Sequence, residues 1–240
     1  MDKLIKLAQK IKDEKLRKMV VDFLKNPSLS NKHFKKYPRM KIEEAATFFS
    51  IGGSSGTTVE RDVLNHTIAV TELCERAADV LEKSYGLPLN RDYLIAAAIL
   101  HDILKIFEWK RPPGAGGGQG QNLEHTGIML DHTMLGVAEL YSRGFPEDLI
   151  HIIAAHFGES GPTPPRNFEA LVLHHIDNML SIIEFRMLAP AAQAQQAVQM
   201  IFLDEESLKK LGEQPEKTGI EKTEIEKPGV DHPPTEKKSG

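Results

Sequence analysis

His101 and Asp102 sit side by side in Ala96-Ala97-Ala98-Ile99-Leu100-His101-Asp102-Ile103-Leu104-Lys105, an otherwise apolar run closed by a lysine. Burying an imidazole and a carboxylate together is costly unless a counter-charge or a metal ion satisfies them. Four more residues of ligand type fall in or beside apolar stretches: His66, His132, His156 and Asp177. Imidazole and carboxylate donors suit iron, manganese, nickel, zinc or cobalt rather than calcium. His66, His101, Asp102 and Asp177 make a set for one ion. His132 and His156 are then available for a second, with Asp102 short and rigid enough to bridge. Two divalent ions ~3.5–4 Å apart acidify a water and clamp the oxygens of an in-line displacement at phosphorus. Lys105, one turn beyond His101, can reach a phosphate oxygen and neutralise charge there. The plain alternative is a lysine that runs from a core helix out to solvent.

These residues need elements that converge, and the apolar spacing predicts helices throughout. Residues 3–25 form an amphipathic helix, or two short ones, with a lysine-rich outer face. Residues 41–51 read as one short helix, and Gly52 to Thr58 as a flexible loop on the rim of the site. A long helix over 60–85 carries His66 and stops at Gly86-Leu87-Pro88. Asn90-Arg91-Asp92 caps the next helix, which is expected to run on through the His101-Asp102 doublet. Within a helix, adjacent residues diverge by about 100° and so hold different sides of a site. Residues 109–126, rich in glycine and proline, read as a mobile loop, either a lid or a tolerated insertion. Helices follow over 131–143, from Pro146 to His156, over 167–187 and over 190–203. No useful β-alternation and no repeat is visible. The expected fold class is all-α, a helical bundle. Residues 1–59 are expected to be a helical extension packed on the core, 60–211 the domain with the site, and 212–240 a disordered tail.

The 240 residues carry a net charge of -4, which excludes the broad basic field usual for nucleic-acid binders. A single cysteine, Cys74, excludes a disulfide framework and a multi-cysteine zinc site, and suits a reducing compartment. No apolar run approaches the ~20 residues of a membrane span. The first residues lack the apolar core of a signal peptide, so a cytoplasmic protein without membrane contact is expected.

The order His66, His101-Asp102, Asp177 resembles the HD domain family of metal-dependent phosphohydrolases, over roughly residues 60–187. The resemblance rests on Leu64-Asn65-His66-Thr67, on Ile99-Leu100-His101-Asp102-Ile103-Leu104-Lys105 and on Leu173-His174-His175-Ile176-Asp177-Asn178-Met179-Leu180. It departs at Leu104, where the family often has glycine. The resemblance implies an all-helical fold and hydrolysis of phosphate esters. His132 and His156 match the two-metal phosphodiesterase branch. Two groups within the family are similar: the HD module of 3′–5′ exoribonucleases, and the iron(II)-dependent phosphodiesterases that open a small pterin cyclic phosphate in methanopterin biosynthesis. The second likeness implies two divalent transition ions, Fe2+ first and Mn2+ next, and a small phosphoester as substrate rather than nucleic acid. The catalytic candidates are then Asp102 and Lys105, and Lys105, Arg61, Lys110 and Arg111 are the candidates for binding substrate. Trp109 and Phe107 are candidates to stack on a flat base, Glu159 to donate a proton, and His125, His174 and His175 to support ligands from behind. A homo-oligomer through the N-terminal amphipathic helix is a further expectation. Competing readings are a 3′–5′ exoribonuclease or nucleotide phosphohydrolase, a nucleotide sensor without turnover, and an iron oxygenase.

Overall fold

The structure, a computed structural model, describes residues 1–51, 56–112 and 123–212, with side chains outside 195–212. The centre of the predicted loop, most of the glycine-rich stretch and the tail past 212 lie outside the described residues. The chain divides into two units, Met1–Gln196 and Ala197–Gly240, and the candidate site lies wholly in the first.

Two short helices open the chain, α1 (Asp2–Ala8) and α2 (Glu14–Lys25). They are separate because Asp13 caps α2, accepting from Leu16 N at 2.9 Å. Asp92 fixes the break from outside, accepting from the backbone N–H of Lys12 at 2.9 Å and of Asp13 at 2.8 Å. Leu4, Leu7, Ile11, Leu16, Val20, Phe23 and Leu24 are buried within the chain. The apolar face of these two helices is therefore covered within the chain, and their lysine-rich face is the one left outward.

The stretch predicted as a short helix over 41–51 holds no α-helix and contributes a strand instead. Only Ile42–Glu44 makes a 3-10 turn; β1 (Ala46–Phe49) then pairs antiparallel with β2 (Val59–Asp62), Ala46 opposite Asp62 and Phe49 opposite Val59. Thr47, Phe48 and Phe49 favour a pleated surface. In β2 the two-residue period buries Val59 and Arg61 on one face. This hairpin consumes residues 60–62, so the next helix, α3 (Val63–Tyr85), starts later than predicted, at an Asp62 cap that accepts from Asn65 N at 2.6 Å. It ends, as expected, at Gly86 in the left-handed conformation, φ 65°.

The helix α4 (Arg91–Leu100) is the centre of the core: Leu94 to Leu100 are all buried, and α1, α2, α3 and α6 (Glu147–Ala154) pack around it. It starts at the expected Asn90 cap. It does not continue through the doublet. His101 is its last, C-capping residue, and after Asp102 the chain tightens into a 3-10 helix, Ile103–Phe107. The His101 ring nitrogen Nδ1 donates to the Ala98 carbonyl at 2.8 Å, the carbonyl that a continuing α-helix would need for the N–H of Asp102. The side chain thus takes the bond that would carry the helix onward.

Beyond it, β3 (Trp109–Lys110) pairs with β4 (Glu124–His125). Then come α5 (His132–Ser142), α6, and α7 (Phe168–Gly212). The break expected between 187 and 190 is absent: α7 runs through Pro190. Alanines at 189, 191, 192 and 194, the best helix formers, surround that proline. Among the described residues no helix is long and apolar enough to cross a membrane.

Buried Glu139 on α5 ties the N-terminal segment to the core. It accepts from Ser30 N at 2.7 Å, Ser30 Oγ at 2.6 Å and Arg143 Nε at 2.6 Å. Glu139→Ala leaves those donors unpaired, and is expected to lower stability by about 2–3 kcal/mol, read as a lower urea midpoint.

Candidate metal centre

Five elements each bring one or two side chains to a single point. His66 comes from the first turn of α3, just behind the β1–β2 hairpin. His101 and Asp102 come from the junction where α4 ends. His132 opens α5, His156 follows α6, and Asp177 lies on α7. Two groups of ligand atoms form there, His66–His101–Asp102 and Asp102–His132–His156, the atoms of each lying within 4.8 Å of one another. Asp102 belongs to both and is only 1 % exposed. Its two oxygens divide the work. Oδ2 lies 3.6 Å from His101 Nε2 and 3.8 Å from His66 Nε2, while Oδ1 lies 3.3 Å from His132 Nε2. Asp177 Oδ1 joins the first group, 2.9 Å from His66 Nε2 and 3.9 Å from His101 Nε2.

Each of the four imidazoles is fixed from behind through Nδ1. His101 donates to the Ala98 carbonyl at 2.8 Å and His156 to the Ile153 carbonyl at 2.7 Å. His132 faces Glu108 Oε1 at 2.8 Å, and His66 faces Glu184 Oε2 at 3.0 Å. A histidine whose Nδ1–H is engaged presents the lone pair of Nε2 inward, the usual arrangement behind a metal ligand. His101 Nε2 is buried with no hydrogen-bond partner among the described residues. Such an orphan is costly in a folded protein unless a ligand uses it. With its nitrogen and carboxylate donors, the site fits divalent transition ions. Glu108 and Glu184 are absent from the sequence reading. Glu184 lies two turns after Asp177 on α7, so helical spacing from a candidate ligand could have found it; nothing local marks Glu108. Glu184→Ala is expected to weaken metal binding about 10–100-fold, measured by competition with a chromogenic chelator.

Burial and neighbouring charge set the protonation states. Burial pushes the His156 imidazole from 6.5 down to about 3, and His101 and His132 push the same way. Burial lowers His101 as well. Burial opposes ionisation of Asp102, yet Lys105, His101 and His132 together hold its carboxyl well below the usual carboxylate range. Asp177 is lowered against burial mainly by His66. For His66, burial is outweighed by Asp177 and Glu184, and its pKa is raised. Neutral His101 and His156 with ionised Asp102 and Asp177 are the forms that ligate metals. Between pH 6.5 and about 3 the unfolded chain holds a proton on His156 that the folded chain lacks, so that group makes stability fall as pH falls. In metal-free protein, wild type is therefore expected to lose stability relative to His156→Gln between pH 7 and 5, by urea unfolding.

The remaining predicted residues separate. Lys105 Nζ donates to Asp102 Oδ2 at 2.8 Å and is buried. Arg61, read as a candidate for binding substrate, is turned inward. It donates to Asp102 Oδ2 at 3.2 Å, Ser181 Oγ at 2.8 Å and Glu184 Oε2 at 3.2 Å. Lys110 pairs with Glu124 at 3.3 Å across the small hairpin. Arg111 lines a cavity of about 700 Å³ beside Arg61 and Glu184. Phe107 is buried core, and Trp109 packs between Phe48 and His125. His125, Glu159 and His175 are exposed. His174 lies behind one of the candidate ligands: its Nδ1 donates to the His156 carbonyl at 2.7 Å. Gly158, at φ 61°, lies against the His174 ring, and a Cβ there would overlap it. Gly158→Ala is expected to cost about 2 kcal/mol or more and to cut activity through His156, checked by thermal unfolding and a phosphodiester assay.

The model of the HD domain family matches residues 63–182. A dihydroneopterin 2′,3′-cyclic phosphate phosphodiesterase from Methanocaldococcus jannaschii is 42 % identical over 178 residues, 74 % of this chain and 67 % of that protein. The 3′-5′ exoribonuclease YhaM of a Geobacillus species is 32 % identical over 127 residues, 48 % of this chain but only 39 % of the relative. YhaM of Bacillus subtilis is 33 % identical over 120 residues, 48 % of this chain and 36 % of the relative. No solved structure gives a significant match. Arg61 and Glu184, which grip Asp102 and His66, fall just outside the family match.

Proposed function

Since the chain belongs to the HD domain family and is a metal-dependent phosphodiesterase, we propose that it hydrolyses a small cyclic phosphate ester, 7,8-dihydroneopterin 2′,3′-cyclic phosphate, in the cytoplasm as a step of methanopterin biosynthesis. The observation that carries the two-ion part of this reading is Asp102, whose oxygens face different ligand groups. The relative at 42 % identity supports the substrate.

In this reading His66, His101, Asp102 and Asp177 would hold one ion, and Asp102, His132 and His156 the other, with Fe2+ favoured and Mn2+ next. When bound, such ions polarise phosphate oxygens and make water acidic enough to attack phosphorus. The net reaction adds one water: its oxygen bonds to phosphorus, one ring P–O bond breaks, and the leaving oxygen takes up a proton. Lys105 keeps Asp102 ionised and has two further N–H donors for a phosphate oxygen. Arg61 donates to the same carboxylate oxygen as Lys105, and through Glu184 it fixes His66. Both cations therefore act first on the shape of the ligand set.

The test is turnover of the cyclic phosphate by protein loaded anaerobically with Fe2+ or Mn2+, followed by ³¹P NMR. Conversion to a monophosphate ester is expected. Inertness toward every cyclic phosphate, with trimming of RNA from its 3′ end, would replace this reading by the exoribonuclease one that the YhaM similarity favours. RNA binding in that case would weaken steeply with salt.

A further inference from the structure

Phe157 is a large apolar side chain left 42 % exposed directly against two buried histidines of the Asp102–His132–His156 group. Its ring centroid lies 4.3 Å from that of His156, with the planes tilted by 32°, and 5.7 Å from that of His132, nearly edge-on at 71°. Phe107 and Phe145, by contrast, are buried. The backbone around Phe157 is held. His174 anchors the His156 carbonyl at 2.7 Å, Gly158 takes its left-handed turn over the His174 ring, and a Cβ on Gly161 would come within 2.9 Å of Phe157 Cβ. His156 does not need the ring for its own orientation, because Ile153 and His174 already fix it. One exposed aromatic side chain thus stands directly beside the buried, polar His132 and His156.

We propose that Phe157 is the stacking platform for a flat heteroaromatic ring carried by the phosphate ester, and so a specificity-determining residue. The inference rests on the phosphodiesterase reading only in placing the phosphorus at the metal centre. Aromatic rings favour offset or tilted contacts at this range of distances, and a stacked ring is worth roughly tenfold to hundredfold in affinity. The nearness of Phe157 to His132 and His156 requires a short linker between ring and phosphorus. The substrate class is then a pterin- or purine-sized ring on a short polyol cyclic phosphate, not a bare polyol phosphate.

The experiment compares wild type, Phe157→Ala and Phe157→Trp, all metal-loaded, on adenosine 2′,3′-cyclic phosphate and on glycerol 1,2-cyclic phosphate, which has no ring. In Phe157→Ala the loss in kcat/KM on the adenosine compound should exceed the loss on the glycerol compound by at least about tenfold, mainly through KM. Phe157→Trp should restore it. Equal losses on both substrates, or no loss on either, would overturn the proposal. So would a reduced metal content in Phe157→Ala, which would make the ring a prop for His156. Calorimetric binding of neopterin monophosphate and glycerol phosphate decides the same question without turnover. If wild type turns over neither of these two compounds, ring-dependent binding alone judges Phe157, and the proposed function is judged separately on the pterin cyclic phosphate.

Discussion

Asp102→Ala is expected to reduce phosphodiesterase activity by at least about a thousandfold in kcat and to lower metal content at both groups of ligands together. No other residue of the centre belongs to both groups. The substitution also strands a cation. The Lys105 ammonium is 8 % exposed and donates to Asp102 Oδ2. Removing one partner of a buried pair costs about 3–5 kcal/mol, so part of any loss could come from unfolding. Asp102→Asn separates the two effects. It keeps the size and one acceptor oxygen while removing the charge, and it should remain folded by circular dichroism yet be inactive. His156→Ala is the counterpart: it should lose one ion and keep the one held by His66, His101, Asp102 and Asp177. The readouts are kcat on bis-p-nitrophenyl phosphate and metal per chain by mass spectrometry.

Stripping the ions from wild type is expected to have the second large effect. Activity should fall below about a hundredth and return on adding Fe2+ or Mn2+. The thermal midpoint should fall as well. An ion present at a hundred times its dissociation constant stabilises by about 2.7 kcal/mol, and in a chain of this size each kcal/mol is worth about 2–4 °C. The expected drop is therefore about 5–10 °C for each ion removed. Neutral His101 and His156, both depressed by burial, and the lowered carboxyls of Asp102 and Asp177 mean that little proton release is needed from those four groups on reloading.

The candidate ligand residues were legible because chemistry and periodicity coincide in them. His66, His132 and Asp177 interrupt apolar helical stripes, and a polar group at such a place needs a partner. Caps were legible for the same local reason: Asn90 and Gly86 act within a few residues of their own position. What escaped depends on contacts distant in sequence. Nothing in the apolar run around the doublet announces a helix end, because the bond from His101 to the Ala98 carbonyl competes with the helix only once the ring is turned inward. The β1–β2 hairpin escaped because four residues of alternation are too few to outweigh a helical reading. That miss changed the view of Arg61. As the start of a helix it looked like an arginine at the rim; as the second inward residue of β2 it is carried onto Asp102. Glu108 and Glu184 act on histidines from other elements, 24 and 118 residues apart in sequence, and only packing brings such pairs together.

The most direct test of a shared-carboxylate, two-ion centre is an anomalous difference map from crystals grown anaerobically with Fe2+. Two peaks are predicted, one among His66, His101 and Asp177 and the other between His132 and His156, with one oxygen of Asp102 on each. A single peak on the His66 side, with His132 and His156 bound to nothing, would contradict it.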